Sequence, residues 1–75
     1  MKNSEYIKVD RNISGVVTIK LNDPKTYNSL SLKMINSLNK ILKTLDKDIK
    51  TKVIILEGEG RGFCAGHNLK EIKSL

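Results

Sequence analysis

An α/β fold is predicted for this chain of 75 residues, with elements in the order strand, strand, helix, strand, glycine-rich turn, short helix. Three observations predict it. Two runs of alternating polarity are separated by turn residues, one apolar stripe recurs at helical spacing, and an all-apolar run empties into a turn rich in glycine. The order is ββα followed by the start of a further unit.

Taken in order, Tyr6-Ile-Lys-Val-Asp10 places Ile7 and Val9 on one face, and Gly15-Val-Val-Thr-Ile-Lys-Leu21 places Val17, Ile19 and Leu21 on one side. Arg11-Asn-Ile-Ser-Gly15 supplies turn residues between them, so the two runs read as a β-hairpin. Asn22-Asp-Pro-Lys25 ends the second strand, because Pro24 cannot donate to a ladder and its predecessor avoids helical angles. Ser31 then caps a helix. Met34, Ile35, Leu38, Ile41, Leu42, Leu45 and Ile49 form one stripe over about four turns, with Lys33, Lys40, Lys43 and Lys47 opposite, and such a stripe is core. Val53-Ile-Ile-Leu56 is apolar on both faces, which suits a strand covered on two sides in a parallel sheet with a crossover helix. Taken alone, the unit leaves that strand with an open edge and an uncovered face, so a marginal or self-associating chain is expected.

Length and composition bound the function. A chain this short makes one small domain, residues 1–75, burying about 60% of the surface it exposes unfolded. With 39% apolar residues it supports a core, and with only Tyr6, Tyr27 and Phe63 aromatic that core is aliphatic. A single cysteine precludes an intrachain disulfide and fits a reducing, cytoplasmic setting. The N-terminal residues lack the apolar stretch of a signal peptide, and no run reaches the roughly 18 apolar residues of a membrane span. The net charge of +6 is compatible with polyanionic partners. Twelve of the 14 cations are lysines, however, scattered singly and without interleaved aromatics, which argues against a nucleic-acid surface.

The chemistry lies in Arg61-Gly-Phe-Cys-Ala-Gly-His-Asn-Leu-Lys-Glu71. A strand emptying into such a turn, with a helix starting at once, gathers backbone N–H groups able to hold an oxyanion or phosphate. Gly60-Arg-Gly62-Phe-Cys-Ala65 also matches the dinucleotide fingerprint G-x-G-x-x-G/A. Gly66 interrupts the helix that fingerprint should open, so half of a Rossmann domain is a minor alternative. Cys64 and His67 stand at C-x-x-H spacing, but a zinc site needs three or four ligands and no second His or Cys exists. Cys64 therefore reads as a small space-filling residue.

Together these residues resemble the crotonase (enoyl-CoA hydratase/isomerase) superfamily. Phe63-Cys-Ala-Gly-His-Asn-Leu-Lys-Glu-Ile72, after a strand ending in Gly58-Glu-Gly60, is similar to that family's F-C/S-A/S-G-A-D-L-K-E signature. Asn22-Asp-Pro-Lys-Thr-Tyr-Asn-Ser-Leu30 is similar to its earlier N-R-P-x-x-x-N-A-L segment, and the spacing between the two fits. The resemblance runs from about Val17 onward and implies the N-terminal ββα unit of a crotonase-type (ClpP/crotonase-like) spiral fold.

By that resemblance the ligand is an acyl-CoA thioester, with coenzyme A part of the substrate and no separate cofactor or metal. The family holds the thioester carbonyl with two backbone N–H groups, and the first falls on His67, just after Gly66. Ala65, Asn68 and Leu69 would border the adenine and pantetheine. Lys25, Thr26, Tyr27 and Ser29 would line the other side, with Lys25 and Lys70 available to phosphates. The resemblance also implies a homo-oligomer or a complementary C-terminal chain as partner, with no nucleic acid and no membrane. Two positions depart from the pattern, His67 for the usual Ala and Asn68 for the usual Asp, and Asp23 replaces an Arg. Glu57, Glu59 and Glu71 match no catalytic carboxylate position. The expectation is an N-terminal part of a hydratase or isomerase of fatty acid metabolism, inactive by itself.

Overall fold

The computed structural model describes residues 6–64 and Gly66. Strand β1 (Ile7–Arg11) and strand β2 (Val16–Leu21) form the expected antiparallel hairpin. Its turn is organised by Asn12, whose Oδ1 accepts from Ser14 N at 2.9 Å and Val16 N at 3.1 Å. A side chain that captures backbone donors two and four residues on is a common way for Asn to close a turn. Ile7 pairs with Leu21 and Val9 with Ile19, so the alternation in both runs directs one apolar face to the same side.

Helix α1 (Leu32–Asp46) packs on that face. Ser31 caps it as expected, its Oγ accepting from Met34 N at 3.1 Å. Ile7, Val17, Ile19, Leu21, Met34, Ile41 and Leu45 make the core, with Tyr6, Val9, Leu30, Leu38 and Cys64 packed around it. Cys64 thus fills space, as its residue type suggested. The stripe is narrower than predicted. Ile49 lies beyond the helix end and is 89% exposed, and Leu42 is turned out of the core at 43%. The helix ends near Lys47, and Asp48 begins a tight turn in which Asp48 N donates to Leu45 O at 3.0 Å and Thr51 N to Asp48 O at 3.2 Å. That turn carries Ile49 away from the sheet.

Strand β3 (Val53–Gly58) is parallel to β2, in register Val17 with Ile54 and Ile19 with Leu56. The sheet order β1-β2-β3 leaves β3 at an edge. Its predicted coverage on two sides is not met among the described residues: all four of Val53, Ile54, Ile55 and Leu56 are exposed. The cause is geometric. α1 packs on the face made by β1 and β2, the core it forms with them includes no β3 residue, and Val53 and Ile55 face the other way beside Val16 and Thr18.

On the outer face Lys8 and Lys20 are direct cross-strand partners, a repulsive arrangement. Two carboxylates offset it. Lys20 Nζ lies 3.9 Å from Glu57 and 3.6 Å from Glu59, and Lys8 Nζ lies 3.7 Å from Glu59. Among the described residues no helix is long and apolar enough to cross a membrane.

Candidate functional site

Because β2 and β3 run parallel, their C-terminal ends open on the same side of the sheet, and the two segments that follow them meet there. The first runs from Asn22 to Leu30. It begins with Asn22 N donating to Tyr6 O at 2.8 Å, then turns through a short 3-10 segment, Pro24–Thr26. Pro24 supplies the fixed φ that starts such a turn, and Thr26 N and Tyr27 N close it on Asp23 O and Pro24 O, each at 3.1 Å. Thr26 Oγ1 donates to Asp23 Oδ2 at 2.8 Å and accepts from Ser29 N at 3.2 Å. Tyr27 and Asn28 then both adopt left-handed backbone, at φ 53 and φ 56.

The second segment runs from Glu59 to Gly66. Glu59 N extends the ladder to Leu21 O at 2.8 Å, and the chain then folds back over the first segment. Gly58 makes that return possible: a Cβ there would stand 2.5 Å from Phe63 O and 2.9 Å from Asn28 Nδ2. Asn28 is fully buried between the two segments. Its Oδ1 accepts from Asp23 N at 2.7 Å, and its Nδ2 donates to Glu59 O at 3.0 Å and Gly62 O at 2.8 Å. A further link joins Leu30 N to Gly66 O at 2.6 Å.

Of the residues singled out from sequence, the structure brings Lys25, Thr26, Tyr27, Ser29 and Gly66 to this one end of the sheet. Lys25 and Tyr27 are exposed beside the glycine turn. The Thr26 hydroxyl is committed to the fold of its own loop. Ser29 is buried, and its Oγ has no hydrogen-bond partner among the described residues. Gly66 has φ 87, and a Cβ on it would meet none of the described residues within 4 Å. Among the described residues glycine is required there by backbone conformation, not by crowding. Ala65, His67, Asn68, Leu69, Lys70 and Glu71, with the expected short helix, lie outside the described residues. Glu57 and Glu59 point to the outer face and pair with lysines, as surface charge would. Among the described residues no group of three His, Cys, Asp or Glu side chains is placed to hold a metal.

Sequence reasoning missed Asn28. The residue lies in the Asn22–Leu30 segment, where the resemblance implied roles for Lys25, Thr26, Tyr27 and Ser29 only. The available signal was its type: Asn tolerates left-handed backbone and bonds its own chain in turns, so an Asn four residues after Pro24 marks a closed loop.

A ββα unit with two loops clamped together at the C-terminal ends of parallel strands is the opening unit of the crotonase fold. A solved enoyl-CoA hydratase from Mycobacterium smegmatis superposes with a TM-score of 0.91 at 38% identity, over 96% of this chain and 28% of that one. The chain belongs to the enoyl-CoA hydratase/isomerase family, whose sequence profile matches residues 11–75. It is 38% identical over 69 residues to a probable peroxisomal enoyl-CoA hydratase 1 of Arabidopsis thaliana, covering 92% of this chain and 26% of that protein. It is 40% identical over 57 residues to the 1,2-epoxyphenylacetyl-CoA isomerase of Escherichia coli K12, covering 76% and 22%. The chain thus spans about a quarter of the length of the relatives it matches. Neither the nucleic-acid reading nor the dinucleotide half-site finds support in these matches.

Proposed function

We propose that this chain carries the first half of an acyl-CoA thioester site, with the His67 backbone N–H as one of the two donors to the thioester oxygen. The observation that carries the reading is the left-handed Gly66, held by Leu30 N at the meeting point of two clamped loops. A main-chain N–H is set by the backbone and not by a mobile side chain, which is what a preorganised donor needs. One such donor is worth on the order of 3 kcal/mol as charge develops on the oxygen. Lys25 and Lys70 are the cations available to the coenzyme's phosphates. By family resemblance Ala65, Asn68 and Leu69 would border the adenine and pantetheine, and Lys25, Thr26, Tyr27 and Ser29 would line the other side, the Thr26 hydroxyl through the turn it shapes.

The whole protein would hydrate or isomerise an acyl-CoA, in keeping with relatives named for both kinds of reaction, and fatty acid metabolism is the natural setting. Such chemistry also needs carboxylates to move protons. Glu57 and Glu59 are turned away from the site, so these groups and the second oxyanion donor would come from beyond the residues described. A homo-oligomer or a complementary C-terminal chain could supply them. A cytoplasmic setting belongs to the same reading, on the strength of the single cysteine alone, and fractionation of source cells checks it.

Titration of the purified chain with an acyl-CoA tests the proposal. Weak binding is expected, lost in Gly66→Val, which strains a left-handed position, and kept in His67→Ala, since the donor is main chain. Hydration of crotonyl-CoA should not rise above background. Turnover by the chain that His67→Ala abolishes would make the imidazole catalytic and sink the half-site reading. Tight, salt-sensitive nucleic-acid binding indifferent to CoA would replace it.

A further inference from the structure

We propose that Asn28 is the positioning residue of this site, its side-chain amide fixing the Lys25–Tyr27 turn against the glycine turn, and that only an amide can do so. The ligand named below rests on the acyl-CoA reading; the clamp itself does not. The two ends of the amide serve different segments, one closing its own loop and the other crossing to the glycine turn. Oδ1 takes the Asp23 N–H at the start of the first loop, and Nδ2 reaches two carbonyls, those of Glu59 and Gly62, in the second. The main chain adds Asn28 N to Asp23 O at 2.8 Å, so the first loop is closed into a ring at this residue.

The backbone explains why a clamp is needed. Tyr27 and Asn28 are successive left-handed residues, a conformation costly for a side chain like that of tyrosine. Released from Asn28, the loop would relax toward ordinary angles, carrying the exposed Tyr27 ring off Gly62, where the Tyr27 Cβ lies 3.1 Å from the position of an added Cβ. The same release would slacken the neighbouring bond from Leu30 N to Gly66 O, and with it the left-handed glycine on which the acyl-CoA reading rests. The chemistry of the pocket is selective. Nδ2 faces two carbonyl oxygens, so an isosteric carboxylate would set lone pairs against lone pairs in a buried place, and would be driven to take up a proton.

The test uses the ¹⁵N-labelled chain as wild type, Asn28→Asp and Asn28→Ala, with two readouts: solvent exchange of the Leu30 amide, and acyl-CoA titration followed by amide shifts. In Asn28→Asp at pH 7 the α1 amides should keep their protection. Leu30 exchange should accelerate about tenfold and affinity should fall about tenfold, the scale of one buried hydrogen-bonding group left unpaired. Lowering the pH to 5 returns one donor to the carboxyl, and both readouts should recover partly relative to wild type at the same pH. Asn28→Ala should show the losses without the recovery.

Wild-type values in Asn28→Asp would overturn the proposal. So would losses that do not respond to pH, or α1 protection collapsing together with Leu30 in both variants, which would make Asn28 a general stability residue. A wild-type Leu30 amide exchanging at the unstructured rate would overturn it equally. If Leu30 responds as stated while wild type binds no acyl-CoA, the clamp stands and the ligand reading falls.

Discussion

Asp48 is the clearest case of a single residue tied to a measurable property. Its carboxylate accepts from the Arg11 guanidinium on the hairpin, from Lys50 N at 3.0 Å and from Thr51 Oγ1 at 3.0 Å. The hydrogen bond from Arg11, ahead of those from Lys50 and Thr51, holds its pKa at about 2 against an ordinary 3.8. A carboxyl depressed in the folded state favours folding above its unfolded pKa, and that contribution fades as pH falls from about 4 through about 2. Helical ellipticity under mild urea should therefore drop over that window in wild type. Asp48→Asn should start lower at pH 6 and lose less across it; an identical acid response in the two proteins would exclude Asp48 as the cause. Residues are also where sequence reading was least complete. Cys64 was legible, because one small thiol without metal-ligand partners has little else to be. Asn28 was not, because its role depends on two carbonyls that are more than thirty positions away and share no pattern with it.

At the level of elements most of the architecture was readable. Period-two alternation gave both hairpin strands, and a serine before an apolar stripe gave the helix and its cap. The stripe misled at Leu42 and Ile49, since periodicity marks the side of a helix but not how far its partner sheet extends. Strand β3 shows the complementary limit. Its four consecutive apolar residues correctly signalled a parallel strand, but not that both its faces would be exposed. An exposed apolar edge strand is a template for pairing with another chain. Sedimentation of the purified chain should accordingly show concentration-dependent association. Ile55→Lys, which places a charge on the outer face of that edge, should shift it toward monomer, and an unchanged distribution would move the contact elsewhere.

Across the whole molecule, the two halves differ in how their contacts span the chain. The hairpin pairs residues on either side of a tight turn, and α1 caps itself, so both draw on nearby partners. Strand β3 reaches β2 only across the full length of α1, with Val16 beside Val53 and Leu21 beside Gly58. Closing that long loop must precede any reward from the contacts it brings. Sequence separation thus predicts that hairpin and helix find their partners before β3 docks, and that the Asn22–Leu30 and Glu59–Gly66 segments become neighbours at that last step. Native-state hydrogen exchange should find β3 and the Leu30 amide opening together at lower free energy than β1 and β2. The order reversed, with the hairpin first to open, would contradict it. On emergence from the ribosome the hairpin and α1 can therefore meet while Val53–Gly58 has yet to emerge, and the joint held by Asn28 must wait for the strand that brings Glu59 and Gly62 to it.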